Sequence, residues 1–137
     1  MEGRIHKFLK CTVGLELQNQ KYTIYYEPLE SPFNRLWWHS YRPDILATLS
    51  CNVNLQVVLV ECETNPNQKR VLRKTAQIQQ NLSLQKRLHE NASILPLLVI
   101  PPSNLYKIIC SSIRRFWEIW IINRSGEIKH RISRNKR

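Results

Sequence analysis

The chain has 137 residues, enough for one domain and too few for two with separate interiors. Apolar residues make up 42% and there are 4 Trp, 5 Tyr and 3 Phe, so a buried core is available and both intrinsic disorder and a coiled coil are excluded. The net charge of +11 is unevenly placed: residues 1–63 carry 6 Lys/Arg and 7 Asp/Glu, residues 64–137 carry 15 and 3, and a basic half of this kind points to a polyanionic partner.

A helix is expected from Gly3 to Asn19, where Ile5, Phe8, Leu9 and Val13 recur at helical spacing. Lys21–Glu27, rich in aromatic and β-branched residues, reads as a strand, and a loop marked by Pro28 and Pro32 carries Phe33, Leu36, Trp37 and Trp38. Two strands, Pro43–Ser50 and Val53–Glu63, form a hairpin turning at Cys51-Asn52. The nearly continuous apolar run Leu55–Val60 suits a central strand covered on both faces. A long helix follows from Gln68 to Asn91, with Val71, Thr75, Ile78, Leu82 and Leu88 on its apolar face and Lys69, Arg70, Arg73 and Lys74 in its first two turns. Ile94–Ile100 is a buried strand, Ser103–Arg114 a helix, and Phe116–Asn123 with Glu127–Ile132 a hairpin turning across residues 124–126. Phe116–Asn123 has apolar residues on both faces, so it is either buried within the chain or part of a two-fold dimer interface. The basic segment from Lys129 to Arg137 is expected to end in disorder.

The apolar stretches are far shorter than the roughly 20 residues a bilayer crossing needs, and the N-terminus lacks a signal-like apolar run. The expected setting is therefore the cytoplasm or the nucleoid rather than the outside of the cell, with no membrane partner. Cys11, Cys51, Cys62 and Cys110 fit no paired zinc-ligand spacing and read as buried structural thiols. No Gly-x-Ser-x-Gly element or phosphate-cradling glycine loop occurs, and the chain has only three glycines.

The acids are the informative residues. Asp44, the chain's only aspartate, follows Arg42-Pro43, and Glu61 and Glu63 end the central strand. Side chains alternate along a strand, so Glu61 and Glu63 share a face, and an antiparallel hairpin spanning the 17 positions from Asp44 to Glu61 brings the first acid beside the other two. Crowded carboxylates raise one another's pKa unless a cation lies between them, and hard oxygen donors suit Mg²⁺ or Mn²⁺. Ordinary strand-end acids paired with Arg42 or Lys74 are the competing reading.

Arg42-Pro-Asp-Ile-Leu46, then Val57-Val-Leu-Val-Glu-Cys-Glu-Thr-Asn65 and a basic helix, resembles the PD-(D/E)XK nuclease superfamily, over most of the chain. The resemblance implies an α/β, restriction-endonuclease-like αβββαβ core, a mixed central sheet flanked by helices, extended here by a C-terminal helix and β-hairpin in one domain, 1–137. It also implies metal-dependent hydrolysis of DNA phosphodiesters, with RNA left open. Asp44 and Glu61 take the metal-binding positions, the Cys62 carbonyl can add a ligand, and Glu63 falls where the family usually has lysine. Glutamate occupies that place in some restriction enzymes, where it would act on the water or a second metal. Lys74 is a candidate replacement cation, and Glu2 and Glu16 are candidates for the acid that the family often supplies from its first helix, Glu2 being preferred; His6 lies one turn from Glu2. Lys69, Arg70, Arg73, Lys74, Arg114 and Arg115 are expected to bind the nucleic-acid backbone. A nucleic-acid-binding module that kept the fold and lost cleavage is the alternative.

Overall fold

The computed structural model describes residues 3–29, 41–85, 92–102 and 110–134. Among these residues three helices and six strands follow one another as α1 (Arg4–Asn19), β1 (Thr23–Tyr26), β2 (Ile45–Cys51), β3 (Asn54–Cys62), α2 (Gln68–Gln85), β4 (Ala92–Ile100), α3 (Ser111–Phe116), β5 (Glu118–Ile122) and β6 (Ile128–Ile132). One sheet holds all six strands in sequence order. β1, β2 and β3 form an antiparallel meander, β3, β4 and β5 run parallel, and β6 returns antiparallel to β5.

Alternation along β3 builds two cores. Val57 and Leu59 face α2 and α3, packing with Val71, Ile78, Ile113 and Trp117. Val58, Val60 and Cys62 face α1, packing with Leu9, Val13 and Leu17. Both faces of β3 are therefore covered, which is why its sequence is an unbroken apolar run. The same holds for β5: Ile119 and Ile121 lie on the α2 side, Trp120 and Ile122 on the α1 side, all buried within the chain. On α2, Thr75 is buried and its hydroxyl accepts the Trp117 indole N–H at 2.8 Å, tying the helix to the residue that leads into β5.

Three expectations are corrected. The buried stripe of α1 is Leu9, Val13 and Leu17 at four-residue spacing, while Ile5 and Phe8 are 58% and 39% exposed, because this rotation of the helix is the one that sets its smallest residue, Gly14, against Tyr26. The β2–β3 turn is Asn52-Val53, one residue later than expected: Cys51 pairs with Asn54, and Asn52 takes the left-handed conformation (φ +56°) that asparagine tolerates. Of the four thiols only Cys62 is fully buried; Cys11 and Cys51 are exposed.

The helix expected at Ser103–Arg114 is described only from Cys110 onward, as α3, and it continues to Phe116. The aromatic loop at 33–38, the end of the long helix at 86–91, and Glu2 lie outside the described residues. Pro96 sits inside β4 without breaking it. Ala92–Pro96 pair only with β3, whereas β5 pairs with Leu97–Ile100, so the residue lacking an N–H stands at the last position where β4 has one described neighbour. No described helix is long and apolar enough to cross a membrane.

Candidate active site

The one-residue shift of the turn decides the site. With the turn at Cys51-Asn52, Asp44 would oppose Leu59. With Ile45 opposite Val60, the next pair along is Asp44 and Glu61, and the Asp44 N–H donates to the Val60 carbonyl at 3.1 Å. The two acids thus meet where β2 begins and β3 ends.

Glu61 is fully buried. One carboxylate oxygen accepts the Tyr41 hydroxyl at 2.7 Å and the other accepts from Lys74 Nζ at 3.1 Å. Burial pushes its pKa up from 4.5 to about 7; the Lys74 charge opposes that rise, the Asp44 charge adds to it, and the two hydrogen bonds oppose it. Lys74 is raised: desolvation works to lower it, and the carboxylates, Glu61 first, more than compensate. Burial pushes the Tyr41 hydroxyl well above its usual range, with Glu61 adding to the shift, so it stays a donor.

Asp44 is less buried and reaches both faces of the sheet end. Its Oδ2 accepts the Cys62 N–H at 2.8 Å and lies 3.2 Å from His6 Nε2 on α1. Cys62 touches Asp44 through its backbone N–H, whereas the group expected to act there was its carbonyl. Its buried thiol is pushed far up by desolvation first and then by Asp44 and Glu61, and it is no nucleophile.

Glu63 points to the α2 side with Glu61, and its carboxylate lies 3.0 Å from Arg70 Nε. The matching of Glu61 and Glu63 with Lys74 and Arg70 follows from geometry. Carboxylates two residues apart on a strand are about 7 Å apart, and side chains four apart on a helix about 6 Å, so a crossover helix running back along β3 meets both acids in turn. Asn67 starts that helix by accepting the Arg70 N–H at 2.9 Å. Basic side chains at the positive end of a helix are unfavourable, and α2 has no acid in its first turn, so Glu61 and Glu63 supply the compensating charge.

Of the other basic residues, Lys69 and Arg73 are exposed on α2. Arg114 and Arg115 lie on α3; Arg115 lines a shallow groove against Thr75 and Gln79 of α2, and Arg114 Nε is buried without a hydrogen-bond partner. No ion pair joins either to the acids among the described residues. Glu16 pairs instead with Arg131 at 3.0 Å, and that guanidinium also covers Trp120. Tyr41 is the site residue that the sequence did not announce.

Among the described residues no three His, Cys, Asp or Glu side chains converge as a metal-binding set. The donors at hand are the Asp44 and Glu61 carboxylates, whose oxygens are hard ligands. That chemistry fits an ion such as Mg²⁺, which is commonly held by one or two carboxylates and keeps several waters, and does not fit a closed cage.

No family model matches the sequence, and no curated protein matches it. Solved structures do match. An XisH family protein from Nostoc punctiforme PCC 73102 superposes with a TM-score of 0.56 at 13% identity, covering 92% of this chain and 99% of that one. A FdxN element excision controlling factor protein from Anabaena variabilis superposes with a TM-score of 0.50 at 12% identity, covering 93% and 99%. At these identities the likeness is one of fold, and this chain's mixed six-stranded sheet flanked by helices is consistent with a restriction-endonuclease-like fold.

Proposed function

We propose that this protein is a metal-dependent endonuclease of the PD-(D/E)XK type that hydrolyses DNA phosphodiesters. The observation that carries this reading is the placing of Lys74 Nζ 3.1 Å from Glu61, itself opposite Asp44: the cation missing from the strand, where Glu63 stands, is supplied by the following helix. Asp44 and Glu61 would hold Mg²⁺ or Mn²⁺, with the Cys62 carbonyl as a further donor. When bound, such an ion lowers the pKa of a water and stabilises charge on a phosphate.

The protein's own groups do the rest. Tyr41 fixes the Glu61 carboxylate, and the Cys62 N–H and His6 fix that of Asp44. Lys74 stands where negative charge develops in the transition state. Glu63 orients water or a second ion, and its partner Arg70, with Lys69 and Arg73, meets backbone phosphates without reading sequence. The description of one structural relative as an excision controlling factor agrees with a role on DNA.

The test is incubation with labelled duplex, single-stranded and branched DNA, with Mg²⁺, Mn²⁺ or chelator, beside Asp44→Ala and Lys74→Met. Metal-dependent cleavage lost in both variants is the expected result. A second reading has its own observation: both Glu61 oxygens are engaged by protein groups and the carboxyl is drawn toward neutrality, as in a binding module that has lost cleavage. DNA binding that is indifferent to metal, with no product under any condition, would establish that reading instead.

A further inference from the structure

Where β3, β4 and β5 end, beside the acids, lies an open groove of about 930 Å³. Ile5 and Phe8 give it an apolar floor, Arg4 and Arg124 line its sides, and Thr64 and Asn65, immediately after Glu63, form the wall nearest the acids. None of its lining residues is acidic. The first turn of α1 joins groove to site, because Arg4 and Ile5 line the one while His6 faces Asp44 in the other.

Phe8 lies outside the buried stripe of α1, and its ring abuts Gly126 in the β5–β6 turn, where a Cβ would already touch it at 3.5 Å. It is therefore braced from one side and open on the other. Duplex DNA offers such a surface only phosphates, since its base faces are stacked inside; an apolar floor adds nothing to their binding. An unpaired strand offers phosphates and bare base faces together, which is what guanidinium groups beside an aromatic ring hold.

We propose that this groove receives an unpaired segment of the nucleic-acid strand next to the scissile phosphate, with a base on Phe8 and phosphates against Arg4 and Arg124. This rests on the reading of the neighbouring site as one that acts on nucleic acid, and it gives that site a substrate class: flaps, overhangs or branched DNA in preference to plain duplex. The paired part of such a substrate falls to the basic face of α2.

The full-length protein is titrated in chelator against a labelled duplex and the same duplex with a single-stranded overhang, read by fluorescence anisotropy. The overhang should tighten binding about tenfold, and Phe8→Ala should remove about that factor from the overhang substrate alone, as stacking on one aromatic side chain predicts. Phe8→Trp should restore it, and Arg124→Ala, at an exposed turn, should weaken the overhang substrate more than the duplex while leaving the melting temperature unchanged. Equal affinity for both DNAs, equal weakening of both by Phe8→Ala, or no binding to either overturns the proposal and leaves the groove to an apolar peptide. Cleavage of the same DNAs in Mg²⁺ separates the two readings. An overhang preference without cleavage overturns the nuclease alone, and cleavage without an overhang preference overturns the groove alone.

Discussion

Glu61→Gln should make the protein more stable at neutral and alkaline pH while abolishing its cleavage of DNA. The carboxyl is fully buried, and its pKa rises from 4.5 to about 7 on folding. A raised pKa means that the folded chain holds the proton more tightly, so the favourable contribution is complete below the unfolded value and lost as pH climbs through the folded one. Two and a half pH units correspond to about 3 kcal/mol of destabilisation above neutrality, falling to about 1 kcal/mol at pH 5.

Glutamine keeps the shape and the acceptor for the Tyr41 hydroxyl without a charge to desolvate, and Lys74, with its side chain 31% exposed, can turn its ammonium to water. In chelator, urea unfolding of wild type and Glu61→Gln should therefore diverge with pH, the variant gaining about 3 kcal/mol at pH 8, roughly 10 °C in Tm for a domain of this size. A stability difference that is the same at pH 5 and pH 8, or a variant less stable at pH 8, would refute the electrostatic account of this site. Loss of cleavage together with the gain would identify Glu61 as a residue kept for chemistry at the expense of stability.

Lys74→Met should lower the cleavage rate at least a hundredfold and, with the cation gone, move the Glu61 transition above pH 7, read as the pH dependence of its stability relative to Lys74→Met/Glu61→Gln. Thr75→Val strands the buried Trp117 N–H and should lower unfolding free energy by about 1–3 kcal/mol, read from the urea midpoint, with cleavage unchanged under folding conditions. DNA affinity should fall steeply with salt, and Arg73→Gln should reduce the slope of log K against log salt by about 1 while weakening all sequences alike. A flat salt response would remove α2 from the interface.

The sequence made the acid pair legible because a strand has a strict period of two and a hairpin constrains its register; only the turn position was off by one. The basic side chains opposite Glu61 and Glu63 were also within reach of spacing arguments, since Arg70 and Lys74 repeat along a helix at nearly the interval the acids repeat along the strand. Tyr41 was not legible. It lies in irregular chain before β2, where no period links residue number to direction. The face of α1 was misjudged for another reason: Ile5 and Phe8 are as apolar as Leu9 and Val13, so periodicity alone did not show which part of a broad stripe the sheet would cover. The exposed part borders the groove beside the acids.

Pro96 has a consequence for how readily the border of β4 can add a further strand. The segment Ala92–Ile100 is an apolar, strand-forming run of the kind that stacks with copies of itself when exposed. Among the described residues no strand pairs with Ala92–Pro96 on the β5 side of β4, because β5 reaches only as far as Leu97. A ring nitrogen at the limit of that border denies an incoming strand the hydrogen bond it would need to carry on past it. The same residue stands in the newly made chain before β5 exists to cover anything, so this missing donor limits strand addition from synthesis onward.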